Sequence, residues 1–358
     1  MTTKRSLSLL ALLISTLVFS ILVGCSTQES KSESESASAN SDSSEEETTE
    51  EETSKYPITI EHAFGETTIE EKPERVATVQ WNNHDVALSL GVVPVGFSAA
   101  NYGVQDDSGM LPWTEEKLKE LGEENPNIFQ DTDGLDFEAV ADSNPDVILA
   151  AYSGITQEDY DILSQIAPVV AYDKGPWITP WREMVIMNAK GMGMEEEGKQ
   201  LVEETDQFIE EKASEYPELK GKTVAFASIS ADDLSQLYIY TPEDPRGAFL
   251  EELGMKYPES VLNEIGEDGG FSITISAENA DILNEADIIV SYGNESLLET
   301  LQNDPLLGEI PAVKNGSMVF VGDGTTLAAS LTPSPLSIRY TLEEYLKLLG
   351  EAAAKVNE

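Results

Sequence analysis

Phe137-Glu138-Ala139-Val140 opens a helical stretch, and Asp146-Val147-Ile148-Leu149 follows it as a short apolar run ending near Tyr152-Ser153-Gly154. The same order of parts returns later: Ala277-Glu278-Asn279-Ala280, then Asp287-Ile288-Ile289-Val290, then Tyr292-Gly293. A short apolar run bounded by turn residues reads as a buried strand of an α/β sheet. Two loosely matching helix–strand units, one in each half of the chain, make two similar α/β lobes the simplest architecture.

Outward from these units the alternation continues. Strands are expected at 76–79, 92–97, 147–151 and 169–172, with helices at 85–90, 136–143 and 157–166 between them and another at 182–190. A second run has strands at 223–227, 237–240, 288–290 and 318–321, and an amphipathic helix at 335–349 closes the chain. Between the runs, residues 195–216 place Leu201, Val202, Phe208 and Ile209 on one helical face and acidic residues on the other. The expected organisation is an N-terminal lobe at 56–194, a single long rigid interlobe helix at 195–216 and a C-terminal lobe at 217–358. Ligands of such sheets sit beyond the carboxyl ends of the strands, which here means a cleft between the lobes.

The N-terminus carries a different signal. Lys4 and Arg5 precede an apolar run at 7–23, and Leu22-Val23-Gly24-Cys25 follows. A basic flank, an apolar stretch and small residues describe an export signal. The small residue before Cys25 resembles a bacterial lipobox, which makes 1–24 a signal peptide and Cys25 the lipidated first residue of the mature protein. The competing reading of 7–23 is an uncleaved membrane helix. Cys25 is the only cysteine, so no internal disulfide forms. Residues 25–55 are rich in Ser, Glu and Thr, too polar to offset their ordering entropy, and read as a disordered acidic tether. The expected location is the extracytoplasmic face of a bacterial cell membrane.

Composition excludes several functions. A formal charge of −46 opposes nucleic-acid binding, which needs the opposite sign. No Gly-x-Ser-x-Gly elbow, phosphate-cradling Gly-x-x-x-x-Gly-Lys loop or His-Glu-x-x-His helix occurs. Only His62 and His84 exist, too few for a histidine-rich zinc site. No catalytic residue, protein-held metal or cofactor is expected. The strand-end loops instead offer aromatics and a few cations: Trp81, Asn82 and His84, then Tyr102, Tyr152, Trp181 and Arg182, and from the second lobe Tyr240, Arg246 and Phe271, with Trp113, Trp177, Tyr238 and Tyr292 as further candidates nearby. Flat, rigid side chains cover an organic ligand at low entropic cost. Ordinary packing is the competing account of each aromatic, and Arg246 either faces the cleft or clamps the turn at 242–247.

Several stretches carry a family resemblance: Pro73-Glu74-Arg75-Val76-Ala77, Leu90-Gly91-Val92-Val93-Pro94-Val95-Gly96 and Asn144-Pro145-Asp146-Val147-Ile148-Leu149. To these are added Tyr152-Ser153-Gly154-Ile155, Ile166-Ala167-Pro168-Val169-Val170 and Tyr240-Thr241-Pro242-Glu243-Asp244-Pro245-Arg246-Gly247. Together they resemble the binding proteins of ABC importers for iron–siderophores, haem and cobalamin, the last three pointing to the iron–siderophore branch. The resemblance implies a monomeric capture protein that hands a ferric siderophore to a permease dimer with its ATPase. It places Arg75 structurally at the start of the first strand, and Glu138 and Glu278 as docking residues for permease arginines. Each glutamate also has a simpler role, at the positive end of its own helix. Scarce cations favour a hydroxamate over a trianionic catecholate complex. The rivals are haem or cobalamin on the same fold and, in a different class, an exported enzyme or adhesin.

Overall fold

The computed structural model describes residues 55–131, 133–266 and 269–356. The leader at 1–24, Cys25 and the tether up to residue 54 lie outside the described residues. A hairpin of β1 (Ile58–His62) and β2 (Gly65–Ile69) comes first. It docks on the first lobe through Ala63 N to Tyr172 O at 2.9 Å and Thr67 Oγ1 to Val169 O at 2.7 Å.

The first lobe holds β3 (Val76–Thr78), β4 (Gly96–Ser98), β5 (Ile128–Phe129), β6 (Val147–Ala150) and β7 (Val169–Ala171). They form an all-parallel sheet in the order β5-β4-β3-β6-β7. The chain moves one way from β3 to β5 and the other way from β6 to β7, so the topological switch lies between β3 and β6. A crevice opens there beyond the carboxyl ends.

The second lobe holds β8 (Val224–Ser230), β9 (Asp233–Tyr240), β10 (Ser272–Ser276), β11 (Ile288–Ser291) and β12 (Met318–Phe320), in the order β10-β9-β8-β11-β12. Only the β8–β11 and β11–β12 pairs are parallel; β9 returns from β8 as a hairpin and pairs antiparallel with both neighbours. The repeated α/β pattern expected from sequence is thus broken on one side of this sheet. The helix expected from Ala277 is a 3-10 run, Ala277–Glu285.

The two echoing sequence units occupy matching places. Asp146 accepts from Glu74 N at 3.0 Å and Arg75 N at 2.8 Å, and Asp287 accepts from Thr223 N at 3.0 Å. In each lobe an aspartate just before the strand thus latches the chain entering the neighbouring strand, with Val76 opposite Val147 and Val224 opposite Ile288. Arg75 donates to the carbonyls of Asn144 and Ser143, both at 2.6 Å, the structural role expected of it.

Helix Glu195–Ser214 carries the chain from one lobe to the other, about 30 Å at 1.5 Å per residue. Three glutamates in its first turn suit the helix dipole. It packs between helices Trp181–Gly191 and Pro335–Ala353, and one apolar core runs through Val76, Leu149, Met184, Ile209, Phe226 and Leu346. The final helix belongs to the seam between lobes rather than to the second lobe alone. Its N-cap, Ser334, donates to Asp85 Oδ2 at 2.5 Å, and Tyr340 lies 5.9 Å from the Trp113 ring centroid.

Candidate ligand-binding site

Beyond β3 the chain turns sharply. Gln80 and Asn82 have φ of 64° and 63°, a left-handed backbone that non-glycine residues rarely adopt, and Trp81 projects between them. Buried Asn83 holds this turn: its Nδ2 donates to Val79 O at 2.9 Å and to Tyr152 O at 2.8 Å, while its Oδ1 accepts from Tyr152 N at 3.1 Å. One side chain thereby fixes the loops after β3 and β6, the two that flank the switch point. Strained residues persist only where the surroundings over-determine them.

Trp81 and Tyr152 open onto a cleft of about 290 Å³. Trp177, also left-handed at φ 64°, stands edge-on to Tyr152 with ring centroids 5.4 Å apart. Its indole rests on Gly154, where an added Cβ would lie 2.4 Å from Trp177 Nε1. Across the cleft stand Arg246, Phe271 and Tyr292, and Asn101, Tyr102, Ala328, Ala329 and Thr332 complete the lining. Tyr102 joins the two sides: its hydroxyl donates to Asp323 Oδ1 at 2.8 Å and accepts from Gly324 N at 2.9 Å.

Arg246 is the one cation lining this cleft among the described residues. Its Nε and Nη2 donate to the two oxygens of Asp244 at 2.7 and 2.6 Å, its Nη1 donates to Tyr292 at 3.1 Å, and its guanidinium lies 3.8 Å from the Tyr240 ring centroid. Burial opposes its charge, but the Asp244 hydrogen bonds and carboxylate outweigh that, so it stays protonated. The cleft therefore presents a directional donor with almost no net charge. Arg246 both faces the cleft and clamps the turn, uniting the two readings open from sequence.

Burial pushes the phenols of Tyr152 and Tyr102 up, and that of Tyr240 up to about 12, against the opposing charge of Arg246 for Tyr152 and Tyr240. All three are hydroxyl donors at neutral pH. The Tyr152 side chain is 5 % exposed. Its hydroxyl has no hydrogen-bond partner among the described residues, and Tyr152 lines the cleft. A buried donor left open to a cavity is suited to an oxygen of a ligand.

Of the ten residues proposed from sequence, Trp81, Tyr102, Tyr152, Arg246 and Phe271 line the cleft, and Tyr240 supports Arg246 from beneath. Four lie elsewhere. Asn82 is buried and donates to Thr332 O at 2.7 Å, behind the lining. His84 is buried and stacks on Phe97 with centroids 4.9 Å apart, because helix Asn83–Ser89 has already begun and turns it inward. Trp181 and Arg182 start a helix rather than end a strand, and both bond to Glu252. Trp177 and Tyr292, further candidates from sequence, also line the cleft, whereas Trp113 is buried with its indole donating to Asp85. The sequence reading passed over Asn83, an amide beside Trp81 that no motif marks.

Glu138 lies exposed in helix Phe137–Asp142 and Glu278 exposed in the 3-10 run, neither with a partner among the described residues. No group of three His, Cys, Asp or Glu residues positioned to hold a metal ion occurs among the described residues. None of their helices is long and apolar enough to cross a membrane.

Comparison with known proteins agrees with this geometry. A structure of PiaA from Streptococcus pneumoniae TIGR4 in complex with ferrichrome is 55% identical, with a TM-score of 0.80, over 83% of this chain and 99% of that one. The ferric enterobactin-binding periplasmic protein FepB of Escherichia coli is 28% identical over 76% of this chain and 86% of its own length. The Fe(3+) dicitrate-binding periplasmic protein FecB of Escherichia coli K12 is 24% identical over 75% and 84%. The family model for periplasmic binding proteins matches residues 76–324, from the first strand of the first sheet to the turn beyond the last strand of the second. The chain belongs to the periplasmic binding protein family.

Proposed function

We propose that this protein is the substrate-binding component of an ABC importer, capturing a ferric siderophore outside the cell and delivering it to a membrane permease. The similarity to proteins named for ferrichrome, ferric enterobactin and ferric dicitrate supports the ligand class. It does not choose among them, since those complexes differ widely in charge. The observation that carries the choice is the pairing of Arg246 with Asp244 inside an aromatic cleft. A trianionic catecholate complex buried there would meet no uncompensated cation. A ferric hydroxamate of little or no net charge suits aromatic walls, the Tyr152 hydroxyl and one oriented guanidinium.

The siderophore fills the coordination sphere of its iron, so the protein supplies neither a metal ligand nor a cofactor. We assign it no catalytic step. Anchoring through Cys25, with residues 25–55 as the tether, fits the lipobox, and Glu138 and Glu278 are the candidate contacts for a permease dimer served by an ATPase.

The test is titration of the full chain with ferrichrome, ferric enterobactin, ferric dicitrate, haem and cobalamin, followed by tryptophan fluorescence. Trp81 and Trp177 line the cleft and report occupancy. Saturable quenching strongest for ferrichrome is expected. Stronger quenching by the catecholate overturns the hydroxamate assignment, and a response to haem or cobalamin alone overturns the siderophore.

A further inference from the structure

Trp181 and Arg182, expected from sequence in the cleft, converge instead on one carboxylate of the other lobe. Trp181 Nε1 donates to Glu252 Oε2 at 3.1 Å, and Arg182 Nη1 donates to Glu252 Oε1 at 2.7 Å. Arg182 also reaches Asp206 of the interlobe helix, from Nε at 2.9 Å and Nη2 at 2.5 Å, and its guanidinium lies 4.4 Å from the Trp181 ring centroid. Three parts of the molecule, the first lobe, the interlobe helix and the second lobe, meet at this guanidinium.

The position matters because of what each partner carries. Trp181 directly follows the loop whose Trp177 walls the cleft. Glu252 ends helix Pro245–Glu252, whose second residue is Arg246 on the facing wall. An eight-residue helix is a stiff rod about 12 Å long. A cavity of about 270 Å³ lies between the two elements, lined by Ile178, Thr179 and Pro180 on one side and by Pro245 and Ala248 on the other. The junction at Glu252 is thus one of the contacts that fix the distance from Trp177 to Arg246, alongside the bonds from Tyr102 to Asp323 and from Trp81 to Thr332.

Resting on the siderophore reading, we infer that Glu252, gripped by Trp181 and Arg182, is a positioning residue that sets the width of the cleft and so the rate of ligand release. The ligand never touches it. The side chains are 37 % exposed at Arg182 and 20 % at Glu252, open enough for salt to weaken the grip.

The experiment uses the full chain and its Glu252→Ala, Glu252→Gln and Arg182→Met variants, with ferrichrome as the probe. Stopped-flow fluorescence reads association and release at low and high salt, and melting temperature checks folding. Glu252→Ala and Arg182→Met should release ferrichrome about 5- to 20-fold faster, with association within about twofold of wild type. Glu252→Gln keeps an acceptor for Trp181 without the ion pair and should fall between. Wild-type release should quicken with salt, and Arg182→Met release should not. Folded variants with wild-type release rates overturn the inference, as does a salt response that survives in Arg182→Met. Should the wild-type protein bind no ferrichrome, the hydroxamate assignment falls separately, and amide exchange of the unliganded protein decides. Faster exchange at Trp177, whose amide donates to Ser153 O, in Glu252→Ala then supports the inference, and unchanged exchange overturns it.

Discussion

The indole of Trp81 donates to Thr332 Oγ1 at 2.8 Å, tying a wall of the cleft to the segment that forms its floor. Trp81 thus contributes apolar surface to a ligand and a bond to the frame. Trp81→Ala should weaken ferric hydroxamate binding by about 1–3 kcal/mol of lost apolar burial, about 5- to 150-fold in Kd. Trp81→Phe keeps most of the apolar surface and should lose less. Isothermal titration with ferrichrome measures both, and unchanged affinity removes Trp81 from the site.

Asp244 keeps the Arg246 charge from reaching the cleft. Asp244→Asn retains an oxygen for the helix cap but leaves the guanidinium uncompensated. Its affinity for anionic ferric complexes such as ferric enterobactin should rise about tenfold and become salt-sensitive, while ferrichrome changes little. Stability should fall by on the order of 3 kcal/mol, as when one partner of a buried ion pair is removed. An unaltered ligand preference would show that this pair does not set selectivity.

His84 gives the protein an acid-sensitive spot outside the cleft. Burial lowers its pKa, only partly offset by the Asp85 carboxylate, so the folded chain holds the ring neutral while the unfolded chain protonates it near the ordinary value of about 6.5. Stability from this residue is fully present above that value and is lost as pH falls below it. Asp85 acts in the opposite sense, because burial raises its carboxyl and lets the folded chain take up a proton first. Melting temperature should fall between about pH 7.5 and 5.5, and His84→Phe should flatten or reverse that slope. A slope unchanged in the variant would assign it to other groups.

Glu138 and Glu278 have no partner to satisfy among the described residues. Changing both to Arg should abolish uptake by like-charge repulsion at the permease and leave ferrichrome affinity and melting temperature near wild type. Single changes should be milder. Transport that persists in the folded double variant would leave each carboxylate with no role beyond its own helix.

Much of the frame is legible in the chain because buried parallel strands write themselves as short apolar runs. Residues 147–150 and 288–291 show this, and so does the long acidic-faced helix at 195–214. The hairpin from β8 to β9 is missed because polar residues such as Ser228, Ser230, Asp233 and Gln236 interrupt the apolar runs, so the strands read as 223–227 and 237–240 and the two-residue turn between them is hidden. Boundaries decide the site as well. Asn82 and His84 sit one and three residues from Trp81, yet a left-handed turn and the start of a helix bury both. Trp177 is legible as a candidate from its place after the fourth strand, but its seat over Gly154 comes only from tertiary packing.

That seat beneath Trp177 has a consequence for how ligand preference can drift. Gly154 does not have a left-handed backbone, so alanine is conformationally permitted there, and the nearest atoms an added methyl would meet belong to the indole. A single methyl group would tilt the aromatic plate and reshape the cavity without altering charge, sheet register or the lobe junction. The protein thus carries an adjustable part set into a rigid frame, through which relatives of one scaffold can diverge toward cargoes of different girth by changing a glycine that no cargo touches.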